Sequence, residues 1–206
     1  MRKIIDLSME ITDGMAVYPG DDEVKLIQTK FYDCDGYSNH RLECGMHVGT
    51  HMDAPMHMTD SKITVKDIGL DRLMGRGVLI DAVGKHTVDK VEEYENLIEE
   101  ESIVLIHTAY DRYFGTEEYF KEHPVISKDL ADLFIRKKVK AVCLDTPSPD
   151  KYPFEIHKML LENRISIVEN CTNLDKLIQE ENYEVFIIPL KMNTDGAMVR
   201  IFARIS

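Results

Sequence analysis

From residue 67 onward, short apolar runs alternate with amphipathic ones, and this alternation limits the possible folds more than any other feature of the chain. "GVLIDAV", "SIVLIHT", "AVCLD" and "ISIVE" read as strands, and "EVFIIPL" and "GAMVRIFARI" close the chain as two more. Between them, "DIGLDRLM" predicts a short helix, "TVDKVEEYENLI" a helix capped by Thr87, and "SKDLADLFIRKK" a helix capped by Ser127. "PFEIHKMLLEN" predicts a helix with Pro153 in its first turn, and "NLDKLIQE" a further helix. Strands alternating with helices demand a sheet that is at least partly parallel, with helices packed on it. Upstream, "KIIDLSM", "VKLIQTKFY" and "HRLECGM" read as strands, the last two joined through the turn residues "CDGYS", which predicts antiparallel pairing. The expectation is one α/β domain over residues 1–206, a mixed sheet with an additional antiparallel sheet and packed helices.

Composition removes several classes of function. The chain has 206 residues, 44% of them hydrophobic, enough for a substantial core. Its 37 acidic and 25 basic residues give a formal net charge of -12, which argues against a nucleic-acid partner, since phosphates need a basic face. No two of Cys34, Cys44, Cys143 and Cys171 are spaced as a zinc knuckle or redox pair would be, so all four are expected to be reduced. The opening "MRKIIDLSMEI" has scattered charges and no long apolar run, so neither a signal peptide nor a membrane span is expected, and the cytoplasm is the expected compartment.

The chemistry concentrates in "HVGTHMDAPMH", residues 47–57, which holds three of the eight histidines around one carboxylate. On a straight strand His47 and His51 would lie about 13 Å apart, too far to share an ion; a chain kinked at Gly49 lets the rings converge. His51 and Asp53, two apart, share a face of an extended chain about 7 Å apart and can reach one metal. Pro55 keeps Ala54 extended, so the segment is expected to be a loop or strand end. Two imidazoles and a carboxylate suit a catalytic metal ion better than a closed structural site, which more often uses cysteine. His40, His86, His107 and His123 lack such surroundings and are assigned to surface or satisfied core positions.

This segment resembles the signature H-x-G-T-H-x-D-x-P-x-H of the bacterial kynurenine formamidase (arylformamidase) family, part of a cyclase-type superfamily of metal-dependent hydrolases. "AVYPGD", "YFGTEEYFKEHPVIS", "LDTPSPD" and "PLKMNTDGAMVRIFARI" resemble further family segments in the right order, so the likeness spans nearly the whole chain. The resemblance implies a fold of the swivelling β/β/α type. It also implies two divalent ions per chain, zinc first and manganese as the alternative, held by His47, His51, Asp53, His157 and Glu169 with Asp53 and Glu169 shared between them. It implies that His57 is the general acid/base; the residues alone leave it equally open as a further ligand. The implied reaction is attack of a metal-bound hydroxide on N-formyl-L-kynurenine, giving formate and L-kynurenine in tryptophan catabolism, by a homodimer or homotetramer.

One position departs from the pattern. Kynurenine-forming members usually carry tryptophan just before the "PGD" turn, where it stacks on the substrate; this chain has Tyr18 there and no tryptophan at all. Tyrosine still offers a substrate-binding aromatic face, so a small-molecule aryl amide remains the expected partner. Two rivals stand beside the formamidase reading: a superfamily hydrolase opening a cyclic amide such as isatin, and a metal-binding protein without turnover.

Overall fold

The computed structural model describes residues 3–205. Along the chain lie β1 (Ile4–Asp6), β2 (Lys25–Lys30), α1 (Tyr32–Asp35), β3 (Asn39–Glu43), β4 (His51–Asp53), β5 (Met74–Asp81), β6 (Thr87–Val88) and α2 (Glu92–Leu97). They are followed by β7 (Ile103–His107), α3 (Glu117–Lys121), β8 (Val125–Ile126), α4 (Lys128–Arg136), β9 (Ala141–Leu144), α5 (Glu155–Glu162), β10 (Ser166–Glu169), β11 (Tyr183–Pro189) and β12 (Gly196–Ile205). Eight strands form one sheet in the order β1-β12-β11-β5-β7-β9-β10-β4, and β4 pairs back onto β12, closing the sheet into a barrel. The run β5-β7-β9-β10 is parallel; β4, β11, β12 and β1 join antiparallel. The antiparallel β2–β3 ribbon and the small parallel pair β6–β8 lie outside this sheet.

Two cores explain the uninterrupted apolar strands. Along β7, Ile103 and Leu105 pack into one core, while Val104 and Ile106 pack into the other beneath the helices. A strand covered on both faces has no reason to alternate apolar with polar residues. Leu130, Leu133 and Phe134 of α4 and Leu160 and Leu161 of α5 fill the second core. On β12 the pattern is one-sided: Ala197, Val199, Ile201 and Ala203 are buried, with Arg200 exposed between them.

Ser127 caps α4 as expected, its side chain accepting from the Leu130 amide. Four helix expectations are corrected. Thr87 does not cap a helix: it pairs with Val125 in β6–β8, and α2 starts only at Glu92 with no side-chain cap. Pro153 precedes α5 instead of occupying its first turn, because Phe154 adopts a left-handed conformation (φ 60°) that no helix continues through. "DIGLDRLM" and "NLDKLIQE" form only 3₁₀ turns, at Leu70–Arg72 and Leu174–Leu177. Among the described residues no helix is long and apolar enough to cross a membrane.

Candidate metal centre

Gly49 turns the chain between the two leading histidines. Its φ of 55° lies in the left-handed region, and a Cβ there would meet Ile11 Cδ1 at 2.5 Å. Beyond this kink the chain enters β4, so the motif's second histidine and its aspartate lie on a paired strand. Met52 faces the barrel core, leaving His51 and Asp53 together on the opposite face. The β4–β10 register sets Glu169 directly across from His51, and α5, packed over that face, brings in His157.

Asp150 aims His157. One carboxylate oxygen accepts from the amides of Ile156 (2.6 Å) and His157 (3.3 Å), which caps the helix. The other lies 2.6 Å from His157 Nδ1. A carboxylate only accepts, so Nδ1 carries the hydrogen and Nε2 is left toward Glu169 Oε1 at 3.1 Å and Asp53 Oδ2 at 3.7 Å. His51 repeats the pattern: its Nδ1 donates to the Gly49 carbonyl (2.9 Å), and its Nε2 faces Glu169 Oε2 at 3.2 Å and Asp53 Oδ1 at 3.7 Å. His47 Nδ1 comes within 2.9 Å of Asp53 Oδ1. The His57 ring lies 4.1 Å from that of His47 and 6.2 Å from that of His157, centroid to centroid.

Several of these atoms have close neighbours but no well-formed hydrogen bond. His51 Nε2 and both Asp53 carboxylate oxygens are buried without a hydrogen bond. Lone pairs converging in a dry site repel unless a proton or a cation sits among them. Burial alone would lower the histidines, but Asp53 and Asp195 hold His47 up at about 9, and Asp150, Glu169 and Asp53 hold His157 up at about 10. His51 is likewise raised against its burial by Glu169 and Asp53. The carboxylates shift the other way: burial pushes Asp53 up, and the three neighbouring histidines more than reverse that. For Glu169, burial and Asp53 act upward, and His157 and His51 pull it below its ordinary range. Hard and borderline divalent cations accept this donor set, so the residues fit a metal site.

The structure thus brings His47, His51, Asp53, His157 and Glu169 together. Two groups lie close enough to share an ion, His51–Asp53–Glu169 and His47–Asp53–His57, with Asp53 in both. The second includes His57, which the expected ligand set left out. Tyr18, His57 and the cluster members His47, His51, His157 and Glu169 line one cavity of about 240 Å³, with Phe114, Phe120 and Phe154. Tyr18 packs edge-on against Phe120, with ring centroids 5.9 Å apart. His107 and His123 are satisfied elsewhere, His107 by Asp81 and His123 by backbone carbonyls of Phe120 and Asp150.

Five polar residues around the site were not singled out in the sequence. Asp150 and Asp195 both lie inside segments noted above, but nothing local distinguishes an acid that holds a histidine from a solvated one. Asn170 and Thr50 brace the cluster from behind: Asn170 Nδ2 donates to the Gly49 carbonyl (2.9 Å), and Thr50 Oγ1 donates to the Asn170 carbonyl (2.6 Å). Tyr119 is fully buried and donates to Asn170 Oδ1 at 2.7 Å.

A barrel edge carrying paired imidazoles and carboxylates beside an open cavity could hold a metal ion within reach of a bound small molecule. A family model described as "Putative cyclase" matches residues 5–151. An uncharacterised protein of Methanocaldococcus jannaschii is 31% identical, covering 98% of each chain. A kynurenine formamidase of Bacillus cereus is 27% identical over 97% of this chain and 96% of its own. Among solved structures, a potential metal-dependent hydrolase with cyclase activity superposes with a TM-score of 0.83 at 25% identity, covering 100% of this chain and 99% of that one. Isatin hydrolase A of Labrenzia aggregata shares the fold, with a TM-score of 0.87 at 20% identity over 99% of this chain and 94% of its own. The chain belongs to the cyclase family and is a hydrolase.

Proposed function

We propose that the chain hydrolyses an aryl amide, with N-formyl-L-kynurenine as the first candidate, releasing formate and L-kynurenine. The observation that carries this reading is one cavity shared by the ligand cluster and an aromatic wall of Tyr18, Phe114, Phe120 and Phe154. Two divalent ions, zinc first and manganese as the alternative, are assigned to the cluster. His47, His51, Asp53 and Glu169 would hold one, and Asp53, His157 and Glu169 the other. When bound, the ions supply Lewis acidity toward the amide carbonyl and the attacking water. The chain supplies the proton transfers and the placement. His57, whose Nδ1 faces Asp195, takes the water's proton on Nε2 and delivers it to the leaving nitrogen. Water adds at the carbonyl carbon, the carbon–nitrogen bond breaks, and Tyr18 holds the aryl ring.

A second reading, a cyclic amide of the isatin type, draws on two observations. Tyr18 stands where formamidases usually have tryptophan, and no Lys or Arg among the described residues lines the cavity to meet the carboxylate of a kynurenine. The metal-loaded protein assayed on N-formyl-L-kynurenine, isatin and formanilide separates these readings. Formate release with kcat/KM above roughly 10⁴ M⁻¹s⁻¹, the lower end for enzymes, supports the first. Faster opening of isatin moves the substrate to the second. No turnover of any amide by protein holding two ions leaves a metal-binding protein and overturns the enzymatic reading.

The same reading takes residues 1–206 as one domain of the swivelling β/β/α type. It makes the enzyme a cytoplasmic homodimer or homotetramer. The cytoplasm suits its four unpaired cysteines, and exposed Phe31, Tyr32, Tyr37 and Leu42 around the β2–β3 ribbon offer apolar surface for self-association.

A further inference from the structure

Asp195 stands immediately before β12, and its backbone is fixed on both sides. Its carbonyl accepts from the Ala54 amide at 2.8 Å, and the next residue, Gly196, pairs with Asp53 across the β4–β12 ladder. Position 196 has no room for a side chain: a Cβ would lie 2.6 Å from His47 Cε1 and 3.1 Å from the Met52 carbonyl oxygen. The backbone therefore passes directly beneath the His47 ring and presents Asp195 at its outer edge. Asp195 Oδ2 is 2.8 Å from His47 Nε2 and 3.3 Å from His57 Nδ1.

We propose that Asp195 is a positioning residue that sets the tautomers of both His47 and His57. A carboxylate oxygen accepts and never donates, so each nitrogen facing it carries a hydrogen. A neutral imidazole has one N–H, which leaves the lone pairs on His47 Nδ1 and His57 Nε2. His47 Nδ1 is the atom 2.9 Å from Asp53 Oδ1, the position from which it meets an ion. One carboxylate oxygen thus prepares a ligand and the proton carrier together, by the same means through which carboxylates behind metal-bound histidines fix ring orientation. The assignment rests on reading the cluster as a metal centre, but it holds whether His57 acts as the base or as a further ligand, since either role uses Nε2.

The test is ¹⁵N-histidine NMR of the zinc-loaded protein, with zinc titrations of wild type, Asp195→Asn and Asp195→Glu. Wild type should show His47 protonated at Nε2 and His57 at Nδ1. Asp195→Asn should bind zinc roughly 10- to 100-fold more weakly, the usual effect of losing such a carboxylate, and lose the single-tautomer signals. Its kcat on whichever amide is turned over should fall more than its KM rises, and Asp195→Glu should restore part of the zinc affinity. A folded Asp195→Asn protein with wild-type affinity and tautomers overturns the assignment. So does His47 protonated at Nδ1 or His57 at Nε2 in wild type alone, which decides the matter even if Asp195→Asn does not fold. Failure to hydrolyse any aryl amide would defeat the proposed reaction and leave these two readouts to judge Asp195.

Discussion

The ligand cluster and the aromatic wall border the same cavity but are built differently. His51, Asp53 and Glu169 lie on paired strands, and His157 on a helix packed over them; all four are buried. Tyr18, Phe114 and Phe154 come from irregular segments and Phe120 from the five-residue helix α3; Tyr18 remains 37% exposed. Paired backbone holds ligands to the tolerance an ion requires, whereas loops can change without disturbing the sheet. On the proposed reading, the chemistry belongs to the barrel edge and the choice of substrate to the loops.

Substitutions at the barrel edge should abolish turnover, and those in the wall should redistribute it. Asp53→Asn has the largest expected effect, because Asp53 turns one oxygen toward His47 and His51 and the other toward His157. It should lower both metal occupancy and kcat, the latter by about 10²–10³-fold or more, the scale of a lost electrostatic stabiliser. Retention of both ions by this variant would break the idea that Asp53 joins the two sites. His57→Ala should fold, keep both ions, and lose roughly 10²-fold in kcat, as when a general acid/base is removed. Loss of an ion from that variant would transfer His57 to the ligands. Gly49→Ala tests the kink: a left-handed conformation costs an L-residue about 1–2 kcal/mol, before any displacement of Ile11. Thermal unfolding should show that loss, and unchanged stability would mean that the kink does not need glycine. Tyr18→Ala has the smallest expected effect. Losing one aromatic contact of about 0.5–1.5 kcal/mol should raise KM by roughly 2- to 12-fold with kcat less affected. Unchanged KM on every aryl substrate would make Tyr18 a packing residue and shift the wall's work to Phe114, Phe120 and Phe154.

The same contrast decides what could be read from residue order. His51 and Asp53 were legible because a strand has period two, and His47 because Gly49 permits a kink. Both are local rules. The strands β7, β9 and β10 were legible as unbroken apolar runs, and Ser127 as a cap. Thr87 has the local look of a helix cap, but partners far along the chain, Val125 and Ile126, draw that segment into strand pairing. Closure of the barrel through β4–β12 and the meeting of Asp195 with His47 and His57 depend on long-range register. No local pattern marks Asp150 or Asp195 among the chain's 37 acidic residues. The pairing of His157 with Glu169 came through family resemblance; the structure supplies its physical basis in α5 packed over β10.

Elemental analysis of protein stripped of metal, reloaded with zinc and freed of excess ion tests the binuclear reading most directly. Asp53 and Glu169 each turn one carboxylate oxygen toward His51 and the other toward His157, which predicts two equivalents of zinc per chain. A single equivalent that added zinc cannot raise would contradict it.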